Sequence, residues 1–405
     1  MPIQTKVNKS RPLIVFGEDW GGHPSSTQHL IKELNQHRKV IWINSIGLRK
    51  PKLTWRDFYR VVKKLTSYIR SKKEDSKLAE INQCSNFTVI SPLVVPCANS
   101  WLSVKISKWM LARQIRKAVI SLDIKDPIVW CSLPTAVDYI SLFENSISVY
   151  YCGDDFGSLA GVDHAVVLKK EQLLVNKVKY VFTASEALLS KFPKEKAVIV
   201  PHGVNFPLFN NKQREMPDDL PRGGFIAGFY GSISTWIDQD LILSAARSLP
   251  SWNFVFIGNV ECNIDALLGV PNIYFLEAKQ HYELPNYIQH WSVALLPFIN
   301  NKQIQMCNPL KLREYLASGT PVVSTKFNAV AAYEDHVKII GDKEDIAQAI
   351  LLANAEVTTK MNFDSIVHIN DLLAITSVKK VRTNSVISES WQNRADKIDN
   401  YLIGC

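Results

Sequence analysis

Short apolar runs recur along the chain, separated by stretches in which hydrophobic residues return every three or four positions. The runs are typical of strands buried on both faces, and the spaced residues of helices that bury one face. Strands and helices in alternation predict parallel sheets covered by helices, the doubly wound α/β class. In the first half of the chain the predicted strands are Pro12–Phe16, Lys39–Ile43, Phe87–Ile90, Pro127–Cys131, Ile147–Tyr151, Tyr180–Thr183 and Ala197–Val200.

The same pattern begins again after a polar segment, residues 205–224, whose Asn, Pro, Lys, Arg and Asp are typical of a linker. At about 150 residues per domain, 405 residues fit two or three domains. We therefore expect one Rossmann-like domain over 1–204, a second over 225–380 and a C-terminal helix over 381–405. The polar stretch 356–388 predicts no element. The strands predicted in the second half are Phe225–Tyr230, Asn253–Ile257, Ile273–Leu276, Val293–Leu296 and Pro321–Ser324.

One stretch, Asn308–Thr325, combines a helix and a strand with polar residues at the start of the helix. Pro309 suits a first helical turn, and Gly319 stands where a left-handed cap would end the helix. Lys311 and Glu314, three positions apart, share a face near the helix N-terminus, where free N–H groups and a lysine favour an anion. The alternative is an exposed ion pair on an ordinary amphipathic helix.

The turn after the first strand of the second half contains Gly231 and Ser232. Small residues at a strand-to-helix turn let backbone N–H groups approach a phosphate. Because any α/β turn can carry Gly and Ser, the pattern is a weak signal by itself.

Two adjacent carboxylates, Asp154 and Asp155, follow the predicted strand Ile147–Tyr151 and lie between Gly153 and Gly157. At the C-terminal end of a strand, one of them is a candidate general base whose pKa the other, or burial, would tune. Adjacent side chains usually point apart, and we favour Asp154 as the base. The alternative is a turn in which an Asp caps the next helix.

The loop after the first predicted strand offers Asp19, Trp20 and His23 at the edge where open α/β sheets bind ligands. It contains no G-x-G-x-x-G motif, which disfavours a dinucleotide cofactor, and we expect no cofactor. For His23 an ordinary solvated loop is the alternative.

Composition changes this picture little. The chain is 46% hydrophobic and 21% charged, and no apolar run approaches the ~18 residues that span a bilayer. The N-terminal segment has no apolar signal sequence, and the seven cysteines are scattered from Cys84 to Cys405 without a C-x-x-C pair. We therefore expect a reducing, cytoplasmic location without a disulfide frame or zinc site.

The net charge of +9 is concentrated in two stretches that mix basic and aromatic residues. Arg49–Lys73 holds ten Lys or Arg and one acid, Asp57. In Trp101–Ile120, a helix predicted from about Val104, basic residues alternate with Trp109 and aliphatic residues. Both stretches suit peripheral contact with an anionic membrane surface. Two solvated helix faces are the alternative, and nucleic acid is not expected as a partner because no recognised binding motif accompanies the charge.

The sequence resembles the GT-B glycosyltransferases, and within them is closer to the bacterial teichuronic-acid-type and xanthan-type sugar transferases of polysaccharide biosynthesis. The resemblance runs from about Pro12 to Ile350 and again near Trp391. It rests on P-x-K-x-x-E-Y-x-A-x-G from Pro309, Y-x-x-x-D-D from Tyr150, and D-W-x-x-x-P-S-S-x-x-H-L from Asp19. In the second half it also rests on G-x-I-x-x-W-x-D and P-x-W-x-F-x-x-I-G.

The resemblance implies two Rossmann-like domains facing across a cleft, with the C-terminal helix returning to the N-terminal domain. It implies transfer of a sugar from a nucleoside-diphosphate sugar to a hydroxyl of a glycan or lipid-linked acceptor. The N-terminal domain would bind the acceptor and supply the base, and the C-terminal domain would bind the donor. The implied roles are donor binding by Gly231, Ser232, Asn308, Pro309, Lys311 and Glu314, acceptor binding by Asp19, Trp20 and His23, and catalysis by Asp154 and Asp155.

One departure concerns the mechanism. The large retaining families of this fold carry a first glutamate eight positions before the second, and here Met306 takes that position before Glu314. We therefore lean towards an inverting reaction, and we expect it to need no metal ion. The alternatives are a nucleotide-sugar epimerase on the same fold and a non-catalytic GT-B scaffold, for which Met306 is the main support.

Overall fold

The computed structural model describes residues 11–22, 25–46, 86–92, 101–143, 146–158, 163–211, 215–341, 345–358 and 378–403. The basic stretch Arg49–Lys73 and His23 lie outside these ranges. Contacts divide the chain into two compact units. Unit 1 is Met1–Val200 with Ala395–Cys405, and unit 2 is Pro201–Arg394.

Unit 1 is built on one parallel sheet. Its strands are β1 (Leu13–Phe16), β2 (Val40–Ile43), β3 (Phe87–Ile90), β4 (Ile128–Cys131), β5 (Ser148–Cys152), β6 (Tyr180–Thr183) and β7 (Ala197–Ile199). They lie in the order β3-β2-β1-β4-β5-β6-β7, all pairs parallel. The helices of this part are α1 (Ser26–Leu34), α2 (Trp101–Ser121), α3 (His164–Lys177) and α4 (Glu186–Leu189), with 3-10 turns at Pro134–Asp138 and Ile140–Leu142.

The strand order explains where side chains collect. β1, β2 and β4 are buried along their whole length, as expected of strands covered on both faces. The order reverses between β1 and β4, so the loops that follow these strands diverge at the C-terminal edge of the sheet. Open α/β sheets bind ligands at such a point. Ser25 caps α1 there by accepting a hydrogen bond from the Gln28 N–H at 3.2 Å.

Unit 2 repeats the plan with six strands. They are β8 (Phe225–Tyr230), β9 (Trp252–Ile257), β10 (Ile273–Leu276), β11 (Val293–Leu296), β12 (Val322–Thr325) and β13 (Lys338–Ile340). Their order is β10-β9-β8-β11-β12-β13, again parallel, with the reversal between β8 and β11. The helices are α5 (Phe206–Phe209), α6 (Gln239–Ser248), α7 (Leu284–Ile288), α8 (Lys302–Met306), α9 (Leu310–Ser318), α10 (Asn328–Ala331) and α11 (Ile346–Thr358). Residues 378–384 are also helical.

The predicted helix–strand unit Asn308–Thr325 is present as α9 and β12. Gly319 ends α9 in the left-handed conformation at φ 76°, as its position predicts. Pro309 is one residue further out than expected, because it is the N-cap with extended backbone and the helix begins at Leu310.

The last helix, α12 (Trp391–Ile403), belongs to both units. From Ala395 onward it is part of unit 1, where the Tyr401 ring lies 5.4 Å from the ring of Tyr180 and 5.9 Å from that of Phe182. Asp399 accepts a hydrogen bond at 2.7 Å from Arg38, which is buried. The C-terminal helix therefore returns to the N-terminal sheet, as the sequence implied. No helix in the described ranges is long and apolar enough to cross a bilayer.

Candidate functional site

Lys311 lies in the first turn of α9, beside the turn that follows β8. Its Nζ is 4.4 Å from the ring centroid of Phe229 and 5.7 Å from that of Phe298, within cation–π range. A Cβ on Gly231 would collide with this Nζ, and Gly231 has φ 128°. Only glycine therefore combines this backbone conformation with room for the lysine.

Burial disfavours the charged form of Lys311. Burial lowers the pKa of Lys311 to about 8, although the nearby Cys307 and Glu314 act in the opposite direction. Among the described residues no carboxylate forms an ion pair with Lys311. An ammonium opposed by burial gains from an anion beside it, so the electrostatics of this position favour a negatively charged ligand.

The residue after Gly231, Ser232, has a buried hydroxyl without a hydrogen-bond partner among the described residues. The backbone around it is compact, since the Gly231 N–H donates to Ile257 O at 2.9 Å and a Cβ on Gly258 would collide with the Gly231 carbonyl. Buried polar groups are nearly always paired, so an orphaned hydroxyl in the glycine turn that Lys311 contacts suits a bound anion.

Glu314, three positions after Lys311, is buried, and Tyr230 and His281 are among its partners. Tyr230 Oη donates to Oε2 at 2.6 Å, and His281 Nε2 lies 2.7 Å from Oε1. Burial and the Glu314 charge raise the pKa of Tyr230 well above its usual value. The contact of Glu314 with a hydroxyl of the donor stays a prediction. Sequence reasoning missed His281, which lies in the loop after β10 and belongs to none of the motifs.

Asn308 is held within a buried network at the start of α9. Its Oδ1 accepts from Arg313 Nη1 at 2.6 Å, and Arg313 Nε donates to Glu389 Oε2 at 2.6 Å. Glu389 also accepts from Arg394 at 2.8 Å and from Tyr333 at 2.7 Å. The amide of Asn308 thus fixes the helix start that presents Lys311, and its donor-binding role stays a prediction, as does that of the adjoining Pro309.

In unit 1 the two adjacent carboxylates differ. Asp155 is buried and accepts hydrogen bonds from Lys191 Nζ at 2.5 Å, Ser158 Oγ at 2.6 Å and the Gly157 N–H at 3.2 Å. Burial alone would raise the pKa of Asp155, but the bonds from Lys191 and Ser158 outweigh it and lower the pKa. The next long helix, α3, has Asp163 at its N-cap, so Asp155 closes a local turn instead of capping that helix.

Asp154 has the opposite surroundings. Its side chain is exposed by surface area and accepts no hydrogen bond from any described residue. Protein nevertheless surrounds it closely enough that burial raises its pKa, and the charges of Asp155 and Glu18 raise it further. A solvent-accessible carboxylate with a raised pKa and no competing donor suits a general base. The structure also identifies Glu18, which lies in the loop after β1, as its electrostatic neighbour.

The residues predicted to contact an acceptor lie in that same loop. Asp19 Oδ1 accepts from the Ser45 hydroxyl at 2.7 Å and from the Ser45 N–H at 3.1 Å. The Trp20 ring lies 4.8 Å from that of Trp42 and 4.5 Å from that of Phe87. Asp19 and Trp20 therefore shape the loop at the C-terminal edge, and their contact with an acceptor stays a prediction.

The described ranges contain no group of three or more His, Cys, Asp or Glu that could hold a metal ion. The expectation of metal independence overlooked one D-x-D sequence, Asp238-Gln239-Asp240. Asp238 caps α6 by accepting from the Leu241 N–H at 2.9 Å, so this aspartate has a helix-capping role.

Known proteins resemble this chain in sequence and in fold. Residues 224–354 match the family Glycosyl transferases group 1. Over 217 residues the chain is 28% identical to a Bacillus subtilis protein described as a teichuronic acid biosynthesis glycosyltransferase, TuaH. That match covers 49% of this chain and 55% of TuaH, so the chain spans about half the length of this relative.

Solved structures match over nearly the whole chain. Anabaena HepE, in complex with UDP and glucose, has a TM-score of 0.64 at 12% identity and covers 98% of this chain and 100% of its own. A glycosyltransferase from Rickettsia africae has a TM-score of 0.64 at 13% identity, covering 97% and 98%. A UDP-forming α,α-trehalose-phosphate synthase from Burkholderia vietnamiensis has a TM-score of 0.60 at 14% identity, covering 98% and 100%.

These likenesses agree with the two parallel sheets and with the sequence motifs that resemble those of the GT-B glycosyltransferases. At such low identity the structural matches speak for the fold, while the family match applies to unit 2. Residues 224–354 match the glycosyl transferases group 1 family, and the chain has the GT-B fold of two Rossmann-like domains.

Proposed function

We propose that this protein transfers a sugar from a nucleoside-diphosphate sugar to a hydroxyl of a glycan or lipid-linked acceptor in bacterial cell-surface polysaccharide synthesis. The observation that carries the proposal is the Lys311 ammonium against Gly231, in a turn where the buried hydroxyl of Ser232 has no hydrogen-bond partner among the described residues. That arrangement suits a diphosphate. HepE, which shares the fold, is described in complex with UDP-glucose, and TuaH is described as a teichuronic acid biosynthesis glycosyltransferase.

The reaction assigns one task to each unit. The carboxylate of Asp154 removes the proton of the acceptor hydroxyl, and the acceptor oxygen then attacks the anomeric carbon of the donor. The bond from that carbon to the diphosphate oxygen breaks, and its electron pair stays on the diphosphate. Lys311 and the Gly231–Ser232 turn stabilise the developing charge. A single displacement of this kind inverts the anomeric configuration, and it needs no metal ion because the lysine serves the leaving group.

The remaining predicted residues complete the two substrate sites. The carboxylate of Glu314 accepts a hydrogen bond from a ribose or sugar hydroxyl of the donor. Asn308 and Pro309 fix the start of α9 at the diphosphate. On the acceptor side, Asp19, Trp20 and His23 contribute the loop after β1.

A peripheral position on the cytoplasmic membrane face follows from the proposed lipid-linked acceptor. Within the described residues, α2 is the element that supports it. Six of its exposed residues form one stripe at intervals of four and three, namely Leu102, Ile106, Trp109, Arg113, Arg116 and Ile120. The helix sequence holds no acidic residue, and its basic residues suit anionic headgroups.

The experiment that tests the function is a transfer assay with radiolabelled nucleotide sugars and a lipid-linked acceptor extract. We expect label to move to the acceptor, and NMR of the product to give the anomeric configuration opposite to that of the donor. Asp154→Asn should abolish transfer while calorimetry finds donor affinity near that of the parent, because the base acts on the acceptor.

Other outcomes separate the alternatives. An epimerised donor without transfer would identify a nucleotide-sugar epimerase, and donor binding without any reaction would identify a non-catalytic scaffold. A product that keeps the donor configuration would contradict the role of Asp154 as an inverting base.

A further inference from the structure

The ammonium group of Lys191 forms an ion pair with Asp155 in the loop that carries Asp154. Lys191 Nζ lies 2.5 Å from Asp155 Oδ1 and 3.5 Å from Glu171 Oε2. Lys191 follows α4, Glu171 lies on α3, and Asp155 lies in the loop after β5, so one cation joins three segments of the chain. Both carboxylates are buried. Buried carboxylates are costly unless they are paired, and Lys191 compensates both.

The other close donors also serve these two carboxylates. Tyr150 Oη donates to Glu171 Oε1 at 2.7 Å, and Ser158 Oγ donates to Asp155 Oδ2 at 2.6 Å. Asp154, next in the chain to Asp155, receives no hydrogen bond and no cation from any residue within the described ranges. Of three neighbouring carboxylates, the lysine leaves one uncompensated, and that one is open to solvent.

We propose that Lys191 is a positioning residue for Asp154. By holding Asp155 and Glu171 it fixes the segment 152–158 in the form that presents Asp154, and it keeps a negative charge on Asp155 beside it. The proposal rests on the role of Asp154 as the base in the proposed function. Misplacement of a reacting group by about 1 Å can cost about 100-fold in rate, so a positioning residue can matter without touching a substrate.

The charges around the cluster agree with this geometry. Burial works to lower the pKa of Lys191, but its hydrogen bond to Asp155 and the charges of Glu171, Asp155 and Cys152 raise it overall, so the lysine stays charged. For Asp154, burial comes first, followed by the charges of Asp155 and Glu18, and all three raise the pKa. Lys191 thus maintains the Asp155 charge that acts on Asp154.

The test compares Lys191→Met with the parent and with Lys194→Met, an exposed lysine three positions away. We expect Lys191→Met to lower kcat about 10- to 100-fold with an unchanged KM and calorimetric affinity for the donor, since unit 2 is untouched. Lys191→Arg should recover most of the lost rate, and Lys194→Met should match the parent. Carbon-13 NMR of aspartate carboxyls should find that Asp155 titrates at higher pH in Lys191→Met.

A parent-like kcat in Lys191→Met, or a lower Tm with unchanged kcat and unchanged Asp155 titration, would overturn the proposal. If Lys191→Met does not fold, Lys191→Gln replaces it with the same expected results. The carboxyl titration needs no substrate. A parent without transfer activity would therefore sink the proposed function, while an Asp155 titration that moves would still support the link between Lys191 and the loop.

Discussion

At the scale of single residues, Lys311 is the clearest case of a charge held where burial opposes it. Its pKa of about 8 lies below the ordinary 10.5, so the folded protein binds fewer protons than the unfolded chain between these values. The free energy of unfolding that this group contributes therefore rises with pH from about 8 to 10.5. Ligand binding should show the opposite trend, because an anion needs the protonated form.

We expect the donor affinity to fall about tenfold per pH unit above pH 8, because binding then requires uptake of one proton. Lys311→Ala should lose that pH dependence and bind the donor roughly 10- to 100-fold more weakly, the cost of a charge-assisted hydrogen bond. Calorimetry with a nucleotide sugar between about pH 7 and 9.5, a range that brackets the pKa of Lys311, measures the donor affinity and its pH dependence. Lys338→Ala is the matched control. Lys338 is the first residue of β13, an edge strand, whereas Lys311 lies beside the turn that follows the central strand β8. Parent-like affinity in Lys311→Ala would contradict the assignment.

Sequence reasoning found these residues but not their surroundings. Asp154 and Asp155 were both visible as a pair after a strand. The difference between their surroundings depends on Lys191, which lies 36 positions after Asp155 and which no local spacing reveals. The partners of Glu314 are likewise remote, since Tyr230 and His281 lie 84 and 33 positions from it. Motifs carry the reacting groups, while their pKa values depend on contacts that only the fold creates.

At the scale of elements, the apolar runs predicted the sheet well because strands buried on both faces must be apolar throughout. β13 was missed because its three residues, Lys338–Ile340, are too few for a recognisable run. α11 was missed in part because its sequence leads into the polar stretch that follows Glu356. Edge strands and terminal helices need less burial, so they carry a weaker pattern.

The exposed stripe of α2 gives a prediction at this scale. Replacing Ile106 and Trp109 by Ser should reduce sedimentation with anionic vesicles, because these residues would insert their apolar surface among the headgroups. Replacing Lys105, Arg113 and Arg116 by Gln should weaken binding by about 1 kcal/mol per residue and remove its salt sensitivity.

The control for this experiment is a pair of exposed leucines in unit 2, Leu351 and Leu352 on α11, replaced by Ser. Their loss should leave vesicle binding unchanged. Equal sedimentation of the α2 variants and the parent, at low and at high salt, would instead favour an ordinary solvated helix face.

At the scale of the whole molecule, the buried pair of Arg38 and Asp399 joins residues 361 positions apart within unit 1. Arg38 also donates to the Arg11 carbonyl at 2.7 Å, so each of its three guanidinium nitrogens makes a hydrogen bond. The sequence predicted a returning C-terminal helix only by resemblance. The amphipathic pattern of α12 identifies the face that is buried. It does not identify the surface against which that face packs.

Asp399→Ala should lower the free energy of unfolding by about 3 kcal/mol, because it leaves a buried arginine without its counter-charge. The loss should be confined to unit 1, so that hydrogen exchange accelerates at the amides of β1 and β2 and not at those of β8 and β9. Asp396→Ala, an exposed acid on the same helix, is the control and should change little. Equal acceleration in both sheets would contradict a local role.

The discontinuity of unit 1 also has a consequence for its synthesis on the ribosome. All of unit 2, Pro201–Arg394, is translated before Ala395 and the residues after it exist. The sheet of unit 2 can thus fold completely before the sheet of unit 1 has its last helix. Until then Arg38 lacks Asp399, and Tyr401 does not yet cover the rings of Tyr180 and Phe182. Domains usually mature in the order in which they emerge. Here the first to emerge would be the last to finish, and it would depend most on chaperones in the interval.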